Sequence, residues 1–149
     1  MKRLTLGEII SGSEERLEIF YVGGRNGLNR EAGHPFVQPY QVGRMIMPDG
    51  LLILSPESLL QLNSMPELHI QAFLNHLVDQ NISFIAISDH GRPPENWRIF
   101  SEDSDIVLCV SRHNAYLLES RLTGLIREKV DGLKYSMPTS SRSMTRAFC

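Results

Sequence analysis

Apolar positions along this chain alternate between short continuous runs and stripes at helical spacing. Leu51-Leu52-Ile53-Leu54, then Ile82 with Phe84-Ile85-Ala86-Ile87, then Ile106-Val107-Leu108-Cys109-Val110, are the runs. Their length and continuity are those of strands buried on both faces. Helix signals follow each one. Ser55-Pro56 offers a capping hydroxyl and a proline suited to the first helical position. Ser64-Met65-Pro66-Glu67 reads as a capping box, with Leu68, Ala72, Phe73, Leu77 and Val78 behind it at near-helical spacing. Pro93-Pro94 predicts a short helix through Trp97, followed by an acidic turn over 101–105. Ser111 precedes a helix in which Leu118, Leu122, Leu125 and Ile126 form one stripe, leaving Arg121, Arg127, Glu128 and Lys129 for solvent. Three strand–helix units, 51–79, 82–101 and 106–129, predict a parallel sheet with right-handed crossovers.

The first fifty residues are less periodic. Leu6, Ile9 and Ile10 predict one or two helical turns ending at Gly12, and Glu14, Glu15 and Arg16 a solvated turn. The alternation over 17–22 predicts a half-buried strand. Gly23-Gly24-Arg25-Asn26-Gly27 reads as a hairpin-type turn, with an anion-binding nest as the functional alternative. Residues 34–44 have no clear period and read as loop with a helical turn. Beyond Gly132 the composition turns to Ser, Thr, Met and Arg. The expected organisation is therefore one domain over 1–131 and a flexible tail or linker over 132–149. The expected fold class is α/β, a single domain with a mainly parallel sheet and flanking helices.

Composition narrows the function. With 149 residues, 42% of them hydrophobic and 21% charged, the chain has the make-up of one globular domain. A net charge of −2 gives no basic field for phosphate backbones, so nucleic acid is excluded as a first reading. No apolar run is long enough for a bilayer or a signal peptide. Two cysteines, Cys109 and Cys149, form neither a disulfide framework nor a metal spacing. A reducing cytoplasm is the expected location, with no metal and no cofactor.

Three motifs then point to a family. Gly27-Leu28-Asn29-Arg30 follows the glycine-rich turn; Gly91-Arg92-Pro93-Pro94 follows an apolar strand; Ser120-Arg121-Leu122-Thr123 opens a helix segment ending Glu128-Lys129. With Leu4-Thr5-Leu6 they resemble, in order and spacing, the N-terminal domain of HPr kinase/phosphorylase, across about residues 4–130. The resemblance implies a domain similar to the N-terminal domains of Mur ligases. It also implies a role in phosphotransferase-system and carbon-source regulation beside an ATP-dependent protein serine kinase domain. That chemistry needs a G-x-x-x-x-G-K-[ST] phosphate loop, which this chain lacks, so no catalytic residue carries over and the chain is not expected to act as an enzyme alone. The implied partners are a kinase domain, an HPr-type phosphocarrier and further copies in a homo-oligomer. The sensory domain of purine-catabolism transcription regulators shares the early glycine features and implies metabolite sensing instead.

Parallel strands at 82–87 and 106–110 would bring their following loops to one sheet edge, where α/β folds bind ligands. Those loops carry Ser88, Asp89, His90 and Arg92, then Ser111, Arg112 and His113. Asp89, His90, Arg92, Ser111, Arg112 and His113 are the candidate ligand-binding residues, suited to a small acidic metabolite through the two arginines and the amides near Ser111. A hydrolase using Ser88 or Ser111 with a histidine is the catalytic alternative, without the G-x-S-x-G elbow such a nucleophile needs. His69 and His76, seven residues apart, read as a partly buried helix face rather than a metal pair. Trp97, Phe100 and Tyr116 read as core or interface residues, and Cys109 as a small hydrophobe.

Overall fold

Leu51 and Ile53 pack into one apolar layer and Leu52 and Leu54 into another, and all four are fully buried. A strand alternates its side chains between faces, so this pattern requires cover on both sides. The computed structural model describes residues 4–37 and 46–135, and supplies that cover. Its strands are β1 (Ile19–Gly23), β2 (Pro35–Val37), β3 (Leu51–Leu54), β4 (Phe84–Ile87) and β5 (Val107–Ser111). The helices are α1 (Leu6–Ile10), α2 (Glu14–Leu17), α3 (Pro56–Asn63), α4 (Glu67–Asp79), α5 (Glu95–Ser104) and α6 (Ala115–Tyr135), with a 3-10 helix at Arg25–Asn29. The five strands form one sheet in the order β1-β5-β4-β3-β2. All neighbours are parallel except β1, which runs antiparallel to β5. One face packs against α1, α2 and α6 through Leu6, Leu17, Phe84, Leu118 and Leu122. The other packs against α3, α4 and α5 through Leu59, Phe73, Leu77, Ile85 and Trp97. The protein is thus a single α/β domain with a mostly parallel sheet between two helical layers, as the pattern predicted.

Several local expectations change, each for a physical reason. Ser64 caps nothing ahead of it: it closes α3, its hydroxyl donating to the Gln61 carbonyl at 2.7 Å, and Pro66 stands before α4 without a side-chain cap. The buried face of α4 is Ile70, Phe73, Leu74 and Leu77, while Leu68 is 81% exposed. The turn expected over 101–105 is mostly helix. Arg98 bonds to Glu95 and Glu102 on either side of it, and the Ser101 hydroxyl donates to the Arg98 carbonyl at 2.8 Å. Such i,i+3 and i,i+4 pairs carry a polar helix on where apolar periodicity stops. Glu14, Glu15, Arg16 and Leu17 make one helical turn, so the first strand begins at Ile19, after Glu18 takes a left-handed φ of 50°. Thr5 and Glu8 form the reciprocal capping box that starts α1. α6 begins after Asn114, whose side chain accepts from the Leu117 amide at 2.8 Å, rather than at Ser111. It also runs past Gly132 to Tyr135. The remainder of the expected tail, 136–149, and most of the expected loop, 38–44, lie outside the described residues; Pro35–Val37 of that loop is β2.

The Gly23–Gly27 segment is not a hairpin turn. It leads into the 3-10 helix and lies on the backbone that enters β5, where a Cβ at Gly24 would overlap the Ile106 carbonyl and one at Gly27 the Asp105 carbonyl. Gly24 also has a φ of 69°, which glycine adopts without the usual steric cost. Just beyond, the Arg30 guanidinium donates to the Asp105 carbonyl at 3.1 Å, the Ile82 carbonyl at 3.3 Å and Asn81 Oδ1 at 2.6 Å.

Gly24→Ala is expected to cost at least about 3 kcal/mol in urea unfolding, because strain and overlap act together. Gly12→Ala, at a φ of 89° but in open space, should cost only about 1 kcal/mol. Gly124, inside α6 and also in open space, should give the opposite sign: Gly124→Ala is expected to gain about 0.5–1 kcal/mol.

Candidate functional site

The carboxyl ends of β3, β4 and β5 meet as the parallel topology requires, and backbone bonds knit their loops into one frame. The Ser88 amide donates to the Leu54 carbonyl, the His90 amide to the Ser111 carbonyl and the Asp89 amide to the His113 carbonyl, each at 2.9 Å. To reach those acceptors Asp89 and His90 adopt left-handed φ values of 52° and 60°. Consecutive left-handed non-glycine residues are uncommon, and they persist only where surrounding bonds determine them. Gly91 closes the turn with its amide on the Ser88 carbonyl, in space that a Cβ would take from Ile87.

The β5–α6 loop is also tied to the start of β1. The Ser111 hydroxyl donates to the Leu17 carbonyl at 2.8 Å and accepts from the His113 amide at 3.1 Å. The Arg112 amide donates to the Glu18 carbonyl at 3.1 Å. A ring nitrogen of His113, Nε2, lies 3.1 Å from the Arg16 carbonyl, and Nδ1 lies 3.8 Å from Glu18 Oε2. The Arg112 guanidinium sits 5.3 Å from the centre of the Phe20 ring. Glu14, Glu15, Glu18 and Phe20 line the same groove, about 530 Å3 in volume.

All six sequence-predicted residues therefore belong to one edge, but they divide in use. Ser111 is buried and its hydroxyl is fully engaged in holding β1. Ser88 is likewise buried, with its hydroxyl on the Leu54 carbonyl and Asp89 Oδ2. Neither hydroxyl has an imidazole partner among the described residues, so neither has the base a serine nucleophile needs. His113 is mostly enclosed, whereas Asp89, His90, Arg92 and Arg112 face solvent. Arg92 makes no hydrogen bond or ion pair among the described residues. His69 and His76 lie exposed on α4 rather than on a partly buried face, since the buried face is Ile70, Phe73, Leu74 and Leu77, and no group of three or more His, Cys, Asp or Glu residues among the described residues could hold a metal ion. Among the same residues no helix is long and apolar enough to cross a membrane. What sequence reasoning missed at this edge is the contribution of α2 and β1: Glu14, Glu18 and Phe20 carry no local motif and arrive only through antiparallel pairing with β5.

Tyr21 shows the electrostatics of that side. Burial, then its hydrogen bond to Glu14 at 3.0 Å, push the phenol well above its usual range. Partial burial pushes Glu14 up, but it is outweighed by bonds from its own amide, from Tyr21 and from the Gly12 amide, with Arg25 nearby, so the carboxyl stays below its usual range. An unfolded tyrosine titrates near pH ~10. The folded value is higher, so the stability Tyr21 contributes is complete below that pH and is lost as pH rises toward the folded value. Urea unfolding at pH 9 and pH 10.5 should show a smaller fall for Tyr21→Phe than for the parent chain.

Neither a protein-family profile nor a curated protein matches this chain. A solved structure does: the CBS and DRTGG domains of the regulatory region of Clostridium perfringens pyrophosphatase, complexed with its activator diadenosine tetraphosphate. The TM-score is 0.52 at 15% identity, and the match covers 82% of this chain and 46% of the other, so this chain spans less than half of that neighbour's length. Identity that low makes the likeness one of fold. It corrects the resemblance to the HPr kinase/phosphorylase N-terminal domain. The motifs that carried it have packing reasons here: Gly27 lies against Asp105, Gly91 against Ile87, and Leu122 fills the core beside solvent-exposed Ser120 and Arg121. The structural likeness is to a CBS/DRTGG-type regulatory region, and not to that kinase domain.

Proposed function

We propose that this chain is a non-catalytic regulatory module that senses a small phosphorylated or otherwise acidic metabolite at the carboxyl edge of the sheet. The observation that carries this reading is the division of labour at that edge. Both serine hydroxyls are spent on backbone carbonyls, while Arg92 and Arg112 stand on a rigid frame without an ion pair among the described residues. The fold likeness to a regulatory region crystallised with a dinucleotide activator supports the same reading and suggests nucleotide phosphates as first probes. The glutamates beside Arg112 oppose an anion there, which makes Arg92 the stronger contact. A guanidinium holds phosphate through paired, charge-assisted hydrogen bonds, and a bound ligand would bridge loops that both report to β5.

Calorimetric titration of the purified chain with diadenosine tetraphosphate, ATP, AMP and a neutral nucleoside tests this. Saturable binding of a phosphorylated member and none of the nucleoside is expected. Arg92→Ala should weaken it by about 2 kcal/mol, roughly thirtyfold, and Arg112→Ala by less, with the unliganded melting temperature kept. Failure of every phosphorylated probe to bind, or binding indifferent to both substitutions, would overturn the proposal.

A further inference from the structure

An asparagine followed by glycine is chemically weak in water. The amide nitrogen of the following residue attacks the side-chain Cγ, and glycine, without a Cβ, hinders that attack least. Asparagine belongs to the thermolabile residues for this reason. The pair occurs once in this chain, at Asn26-Gly27. The fold treats its members differently. Asn26 is exposed on the first turn of the 3-10 helix, beside a cleft of about 370 Å3 that it lines with Tyr21, Arg25 and Glu102. Gly27 is buried. Its amide donates to the Gly24 carbonyl at 2.8 Å. A Cβ at Gly27 would stand 2.5 Å from the Asp105 carbonyl oxygen and 3.0 Å from the Val107 nitrogen, so the main chain there lies directly on the entry of β5. Arg30 braces the same contact, its guanidinium donating to the Asp105 carbonyl at 3.1 Å. The nitrogen that would attack is therefore bonded away from Cγ, within a peptide plane that has no room to rotate.

We propose that Asn26 is a self-modification site that the fold keeps shut and that records each escape of the Arg25–Asn29 turn from β5. In the lifted turn, solvent base takes the Gly27 amide proton and the nitrogen bonds to Asn26 Cγ. The bond from Cγ to the side-chain nitrogen then breaks, and that nitrogen leaves with a proton as ammonia. Water opens the resulting imide ring. Breaking the new bond to Cγ leaves aspartate on an unaltered main chain, whereas breaking the original peptide bond leaves isoaspartate, with the main chain routed through Cβ and Cγ. Water is the only reactant consumed. The isoaspartyl main chain is longer by one methylene in a segment without slack against Asp105 and Ile106, so the native turn does not re-form on it.

Peptide mapping in mildly alkaline buffer, read as ammonia release and isoaspartate at position 26, tests the proposal. The native chain should convert at least about tenfold more slowly than the same chain in urea, because conversion waits on local opening. Arg30→Gln, which removes the guanidinium from Asp105, should speed conversion several fold in the native chain and leave the rate in urea unchanged. The isoaspartyl chain, returned to buffer, should melt below Asn26→Asp, which carries the same charge on a normal main chain. Equal rates in the native and urea-unfolded parent, an unchanged rate in folded Arg30→Gln, or an isoaspartyl chain as stable as Asn26→Asp would overturn it. The comparison within the parent chain decides the matter even where Arg30→Gln fails to fold.

Discussion

The two ends of β5 are where the rest of the fold is fastened. At its entry, the glycine segment after β1 lies directly on the Asp105-Ile106 backbone, and Arg30 places a guanidinium on the carbonyls that precede β4 and β5. At its exit, Ser111 and Arg112 hold Leu17 and Glu18 while the β4 loop bonds onto Ser111 and His113. A strand whose neighbours on both sides are set by direct backbone contact leaves little freedom for slippage. The helices can then cover the two faces by simple apolar burial, which is strong but carries little geometric information.

That arrangement shapes the candidate site. In an open parallel sheet the carboxyl-end loops are free to carry chemistry because the scaffold below them is rigid. Here part of the loop chemistry has been drawn into the scaffold itself: two serines and an imidazole serve as hydrogen-bonding pegs for backbone carbonyls. What is left facing outward is charge without a nucleophile. An edge built in this way suits recognition, since a ligand that alters the Ser111 to His113 loop also acts on the N-terminal segment bonded to it.

Legibility followed the range of the interactions. The three buried strands and the stripe of α6 were readable because burial on two faces and helical periodicity write themselves into consecutive residues. The end of α5 was not, since it rests on Arg98 ion pairs and a serine bonded to the backbone within a segment that reads as acidic turn. Gly24 and Gly27 looked like turn chemistry because the sequence shows that a residue lacks a Cβ and not what would have met one. At the site, grouping the two loops required only the parallel order of neighbouring strands. The place of Phe20 and the glutamates could not be read, because it depends on an antiparallel pairing between segments far apart in the chain. Likeness of short motifs misled for the same reason: glycine, proline and an amphipathic helix recur wherever backbones pack closely.

Leu17 and the serine that holds it stand 94 residues apart. During synthesis, Ile19-Phe20-Tyr21-Val22 therefore leaves the ribosome with no sheet to join, and waits until β3, β4 and β5 have all been made. This edge strand, without charge or proline from Ile19 to Val22, is also the one left unpartnered longest in the nascent chain, where loop closure over so great a separation is slow. A nascent chain in that interval presents a bare hydrophobic strand, and strands of neighbouring nascent chains compete with β5 to pair with it.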